Sequence, residues 1–296
     1  MSELAAGMAA TLACSLLWAV LDVLRKQLVA RVELGPLVVW LALSQAPLLA
    51  PWAATADPSA ITEGYGGWAL ASVAVNVLAN VLYLFAVGSG QFSIAIPLLA
   101  FVPVWTAVLA VPLLGQLPTP LQGLGIAMVV AGAVALTGGG RRGLVALVRE
   151  PASVAMLGVA FAWSLTIVLD KRATTHAPVA IHALVLSLGI AAGGTAWRLV
   201  QTRGRVGEVA RGIGRALAAA PGRIAAAGAV AAAAMALQLL AIQSVPVSVL
   251  ESVKRTLGMG AALVFGRVLF GERIDRARVI AIAVMAAGAV LVLQQL

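Results

Sequence analysis

Three ionisable residues cluster inside an apolar run of the chain: Glu251, Lys254 and Arg255, in the first half of residues 247–270. Spacings of three and four place them on one helical face. Lys254 lies seven residues into the run, about 10 Å deep at a rise of 1.5 Å per residue. A Lys, Arg or Asp near the centre of a membrane helix costs ~2.5–3.5 kcal/mol, so this face must meet a cavity or a partner. A lysine point charge beside an arginine fork suits phosphate or carboxylate. Glu251 can hold the two cations while no substrate is present, or exchange a proton. The structural alternative is that Glu251 neutralises one cation and the other snorkels to the nearer interface.

Further polar groups occupy other apolar runs. Asp22 precedes Arg25 and Lys26 by three and four residues, and Asp170 neighbours Lys171 and Arg172; each is either an interfacial ion-pair partner or a carboxylate that couples or gates. Asn76, Asn80 and Tyr83 share a helical face, and Gln238 takes the place of Tyr83 in the second half. They are substrate contacts or hydrogen bonds between helices, the latter averaging ~0.6 kcal/mol each. Trp18 and Trp163 either line a cavity or pack. His182 reads as a structural hydrogen bond rather than a proton relay. Two separated histidines and one cysteine, Cys14, make neither a metal-ligand set nor an intrachain disulfide. No phosphate-binding loop and no nucleophile–histidine–acid constellation stands out, so neither an enzyme, a cofactor nor ATP-driven transport within the chain is expected.

The elements that must position these residues follow from composition. Of 296 residues 62% are hydrophobic and 10% charged, and mean hydropathy is +1.03. A soluble domain averages roughly 45–50% apolar and 25% charged residues, so the solvent for the remainder is lipid. The net charge of +9 comes from short basic clusters between apolar runs and does not indicate nucleic acid. A crossing helix needs about 20 apolar residues. That ruler predicts ten spans, at 4–24, 35–54, 67–87, 92–114, 119–137, 152–169, 179–199, 223–242, 247–270 and 277–293. Continuous Ala- and Leu-rich runs predict helices rather than barrel strands.

The two halves resemble each other in register. Trp18 precedes Lys26, and Trp163 precedes Lys171, by eight residues; both halves end on Ala-Gly-Ala-Val, at 131–134 and 287–290. The fold class is therefore an all-α membrane protein of ten transmembrane helices in two five-helix repeats, residues 1–140 and 141–296. An odd number of helices per repeat inverts the second, with the site between halves near mid-membrane. Pro97 and Pro103 interrupt the fourth span, and Pro103 aligns with Gly258, next to Gly260, so matched bends are expected. Small residues at Ala127, Ala131 and Ala135, and at Ala283 and Ala287, allow close packing, internally or across a homodimer face.

Orientation follows the basic loops. Arg25, Lys26, Arg31, Arg141, Arg142, Arg149, Arg203, Arg205, Arg211, Arg215, Arg273, Arg276 and Arg278 fall on one side; Lys171 and Arg172, with Asp57 and Glu63, fall on the other. The basic side is taken as cytoplasmic, with both termini opposite. Glu3, without nearby Lys or Arg, argues against a cleaved signal. In the loop 201–222, Val206, Val209, Ile213 and Leu217 share a face and Arg211 and Arg215 another. That pattern fits a basic amphipathic helix on anionic lipid, or a solvated loop.

These features resemble a known family. "SLLWAVLDVLRKQL" opening one half, "GVAFAWSLTIVLDKR" opening the other, and "FGERI" before a Gly-containing closing helix resemble the EamA-like branch of the drug/metabolite transporter superfamily. The resemblance implies alternating access through a central cavity lined by the first, third, fourth, sixth, eighth and ninth spans. It also implies a bacterial inner-membrane location. Lys254-Arg255 resembles the ninth-helix pair that binds phosphate in triose-phosphate translocators, although Leu99 stands where a first-half cation would. The expected function is secondary active transport, in some relatives export, of a small polar or anionic metabolite, phosphorylated or carboxylate. Lys254, Arg255, Glu251, Asn76, Asn80, Tyr83, Gln238, Trp18 and Trp163 form the expected binding set, and Glu251, Asp22 and Asp170 couple or gate. Two alternatives stand beside it: a flippase for a lipid or lipid-linked sugar, which needs a lateral opening, and a non-transporting scaffold or receptor, in which the Glu251 cluster is fully paired and no cavity reaches solvent.

Overall fold

The computed structural model describes residues 3–89, 96–136, 150–270 and 276–293, and the described residues are helical throughout apart from turns and short connections. The chain forms α1 (Glu3–Val29), α2 (Leu34–Leu43), α3 (Ala46–Ala54), α4 (Tyr65–Ser89), α5 (Val102–Leu114), α6 (Pro120–Leu136), α7 (Pro151–Ala173), α8 (Val179–Gln201), α9 (Val206–Ala219), α10 (Pro221–Ser244), α11 (Val247–Phe270) and α12 (Arg276–Leu293). Among the described residues six segments, Leu34–Ala54 included, are long and apolar enough to cross a membrane, and three shorter apolar helices accompany them. The remaining span, α11, carries the Glu251 cluster over 24 residues.

Two spans are not single helices. Within the second, the backbone N–H of Gln45 bonds to Ala42 O at 3.1 Å rather than to Leu41 O, just before Pro47, which has no N–H and crowds the preceding turn. The side-chain amide of Gln45 donates to Leu41 O at 2.7 Å, so the freed carbonyl is satisfied inside the protein as lipid requires. The fourth span enters through a 3₁₀ stretch, Ile96–Phe101, and becomes α-helical at Val102. Pro103 therefore occupies the first turn of α5, where a missing N–H costs little. The ninth span is not interrupted at the matching place: α11 continues through Gly258 and Gly260.

The packing pattern maps onto itself when the halves are exchanged. The first span packs on the eighth as the sixth packs on the third; the first meets the ninth as the sixth meets the fourth; the second lies on the seventh and the fifth on the tenth. Directions follow from individual contacts. Gly7 near the start of α1 lies against Ser244 at the end of α10. Asp22 and Tyr83 meet near the ends of α1 and α4, so these two run the same way. Ser72 reaches Asp170 while Gly158 faces Leu82, so α4 and α7 are antiparallel. The first and sixth spans therefore run in opposite directions, the inverted arrangement that five helices per repeat demands. The segment 137–149, which holds the expected boundary at 140 and Arg141, Arg142 and Arg149, lies outside the described residues, as does Arg273.

The fifth and tenth spans are held close by glycines. A Cβ on Gly288 would lie 2.6 Å from Gly125 O, and one on Gly132 would lie 2.6 Å from Ala281 O. The alanines expected to make this contact, Ala127, Ala131, Ala135, Ala283 and Ala287, are exposed on the outer face. The connection 201–222 does contain a helix, α9, and part of its apolar side docks on protein while Val206 and Leu217 stay exposed. Val209, Gly212 and Ala216 are buried, and Trp40 Nε1 of α2 donates to Ile213 O at 2.8 Å. In the loop before α4, Ser59 donates to Asp57 through its amide (2.9 Å) and hydroxyl (2.7 Å), bonds that hold the Asp57 carboxyl below its ordinary range.

Candidate functional site

The two halves enclose a cavity of about 100 Å³, measured as the space open to the centres of water molecules, room for several waters. Its wall contains Trp18, Asp22 and Arg25 from α1, Asn76 and Asn80 from α4, Trp163 and Asp170 from α7, Gln238 from α10, and Glu251, Lys254 and Arg255 from α11. Gln45, at the break between α2 and α3, also faces it. Of the residues expected to bind, couple or gate, only Tyr83 is not on this wall. Its side chain is fully buried behind it, donating to Asp22 Oδ1 at 2.9 Å and lying 5.0 Å from the Trp163 ring.

The Glu251 cluster is paired and also faces the cavity. Glu251 is 1% exposed; its Oε1 accepts from Lys254 and its Oε2 from Arg255 Nη2 at 3.2 Å. Lys254 also donates to Gln238 Oε1 at 2.9 Å. The two tryptophans back the cations: Lys254 Nζ lies 5.9 Å from the Trp18 ring and Arg255 Cζ 5.7 Å from that of Trp163, within the range of cation–π attraction. The snorkelling alternative does not describe this geometry, because Glu251 meets both cations and both line the cavity. The scaffold alternative gains the pairing it requires.

Asp22 and Asp170 have different surroundings. Asp22 pairs with Arg25 Nη1 at 3.3 Å, the interfacial ion pair anticipated as one of its readings, except that Arg25 is no loop residue. α1 extends to Val29, and Arg25 is buried with its guanidinium 5.5 Å from the Trp18 ring and 5.3 Å from that of Tyr83. Asp170 does not pair with its sequence neighbours. Lys171 donates to the carbonyls of Ile242 and Gln243 at the end of α10, and Arg172 lies over Trp68 at 5.8 Å. The partners of Asp170 Oδ1 are Ser72 Oγ and His182 Nε2, the latter at 3.2 Å. His182 Nδ1 lies 3.2 Å from Tyr65 OH, and Asn76 Nδ2 donates to Ser72 at 3.3 Å.

Sequence reasoning missed Gln45, Ser72 and Tyr65, and it anticipated the pairing of Arg25 with Asp22 but not the place of Arg25 on the cavity wall. No signal in one sequence joins Ser72 or Tyr65 to Asp170. The cavity wall holds three carboxylates, Asp22, Asp170 and Glu251, against three cations, Arg25, Lys254 and Arg255, so with all ionised its net charge is zero. Among the described residues no group of His, Cys, Asp and Glu is placed to hold a metal ion.

Comparison with known proteins bears on this geometry. Residues 5–138 match the EamA-like transporter family. No curated protein matches the sequence. One solved structure, described only as "Crystal structure of protein", has a similar fold with a TM-score of 0.71, at 18% identity over 99% of this chain and 97% of that one. The resemblance read from the sequence is thus shown for the first half of the chain, which matches the EamA-like transporter family, while the similarity to the solved structure shows a shared fold over the whole chain. Members of that family are membrane transporters of the drug/metabolite type rather than enzymes, and the apolar helices of this chain are those of a multi-pass integral membrane protein.

Proposed function

We propose that this protein is a secondary active carrier for a small polar or anionic metabolite, phosphorylated or carboxylate, working by alternating access between two inverted repeats. The repeats meet near residue 140. The observation that carries this reading is the convergence of Lys254, Arg255 and Gln238 with Asn76 and Asn80 on one cavity between the halves. A substrate anion replaces the Glu251 carboxylate as the partner of Lys254 and Arg255, while the amides select its uncharged polar groups. Trp18 and Trp163 keep the two cations in place when that exchange occurs. Gating falls to Asp22 and Asp170 at opposite ends of the cavity. The basic loops put both termini on the non-cytoplasmic side, in a bacterial inner membrane.

The test begins with a thermal-shift screen of the purified protein against metabolites, phosphorylated ones included, since a ligand of the folded state raises its apparent stability. Uptake of the compound so found is then measured in proteoliposomes. Losing a charge-assisted hydrogen bond costs about 1.5–3 kcal/mol, so Lys254→Ala and Arg255→Ala should each weaken apparent affinity roughly 10- to 150-fold. Unchanged uptake by both variants rejects the site.

A further inference from the structure

The two ends of the cavity are related by the repeat yet differ in chemistry. Arg25 stands seven residues after Trp18, and Asp170 seven after Trp163, so they hold equivalent places in the two halves. At the Arg25 end the groups are a permanently charged guanidinium with a carboxylate, Asp22, and a phenol, Tyr83. At the Asp170 end the carboxylate faces an imidazole, and the imidazole faces a phenol. A guanidinium does not release its proton in proteins, whereas an imidazole beside a carboxylate can exchange one.

The hydrogen bonding at the Asp170 end has an order that chemistry dictates. Ser72 can only donate to an ionised Asp170. With a neutral ring, His182 donates from Nε2 to Asp170 and accepts at Nδ1 from Tyr65 OH, which satisfies every group. Both bonds to Asp170 land on Oδ1, so a proton can be added at Oδ2 without breaking either. Asp170 lies on the cavity wall, His182 is fully buried, and Tyr65 is the first residue of α4. Tyr65 adjoins the connection where Thr62 N donates to His176 O at 2.9 Å. The chain of groups therefore runs from the cavity to the membrane face on the side of the N-terminus.

We propose that Asp170 and His182 form a proton-binding site, reached through Tyr65 from the side of the N-terminus, and that its occupation favours binding of an anion in the cavity. The charges that face it are Glu251, Lys254 and Arg255 on α11 and Asp22 and Arg25 on α1, across the cavity; α4 contributes Tyr65 and α8 His182. Lys171 and Arg172 are engaged elsewhere. One added proton changes three carboxylates against three cations into two against three. The cavity's net charge passes from zero to +1, and an anion restores neutrality. On the carrier reading above, on which this step rests, the proton is the coupling ion and travels with the anion.

The chain contains two histidines, so the site can be read directly. Full-length protein with 15N-labelled histidine is titrated by NMR in detergent, and His176→Gln leaves the His182 ring as the sole signal. The expected result is one titration step at His182 within the pH range where the protein stays folded, and proton binding about tenfold or more weaker in Asp170→Asn, the effect of removing an opposite charge at this distance. Tyr65→Phe, which removes only the hydroxyl, should shift the Nδ1 resonance. His182 signals that stay fixed across the range overturn the site whether or not Asp170→Asn folds. In proteoliposomes, accumulation of the thermal-shift compound under a pH gradient should disappear in His182→Gln while exchange of labelled for unlabelled compound continues; gradient-driven accumulation equal to that of the unsubstituted protein overturns the coupling role. The carrier reading fails separately, if Lys254→Ala and Arg255→Ala transport normally.

Discussion

Replacing Glu251 by glutamine removes one negative charge and almost no volume, and the structure sets the size of the effect. Glu251 is 1% exposed and accepts from both Lys254 and Arg255. Breaking a buried ion pair by neutralising one partner typically costs 3–5 kcal/mol, because the other charge is left uncompensated. Here two cations are left, which argues for the upper end. Against that, Lys254 keeps its bond to Gln238 at 2.9 Å, both cations keep an aromatic face within 6 Å, and the cavity admits water. These residual contacts place the expected loss near 3 kcal/mol, or about a 150-fold change in the unfolding equilibrium. The assay is equilibrium unfolding in mixed micelles, with a double-mutant cycle. If uncompensated cations cause the loss, Glu251→Gln combined with Lys254→Met should recover 1 kcal/mol or more relative to the sum of the single changes. Strict additivity, or a loss below about 0.5 kcal/mol for Glu251→Gln alone, refutes the claim that this cluster is held by charge.

Two further outcomes follow from packing. Gly288→Ala should destabilise by about 1–3 kcal/mol, because its Cβ would meet Gly125 O at 2.6 Å and Met128 Cβ at 2.8 Å; Gly258→Ala, with nothing within 4 Å, should be neutral or gain up to ~1 kcal/mol from helix propensity. Thermal unfolding of the two variants side by side checks this, and an equal effect of both would reject the close α6–α12 contact. Trp40→Phe removes the bond to Ile213 O, a loss of about 0.5–1.5 kcal/mol that should loosen α9. Trypsin cleavage at the exposed Arg211 and Arg215 should accelerate several-fold, and an unchanged rate would show that α9 is held by its apolar contacts alone.

By itself the sequence determined the membrane class, the helical state of the chain and the two-half register. Each rests on runs of about 20 residues, long enough that the need to satisfy backbone groups in lipid leaves one solution. It also picked out the Glu251 cluster, since three charges one helical turn apart carry their geometry within a single element. Only the tertiary structure decided what each charge meets. Lys171 and Arg172 adjoin Asp170 in sequence, but successive residues on a helix point about 100° apart, so Asp170 turns instead to Ser72 and His182. Arg25 ends an apolar run and read as a loop cation; a continuing α1 carried it into the cavity beside Trp18 and Tyr83. The break at Gln45 escaped notice because one proline and one amide change hydropathy little, while they redirect a backbone hydrogen bond. Partners 98 residues apart, as Ser72 and Asp170 are, are joined by the folding of one repeat against the other, and no local pattern encodes that approach.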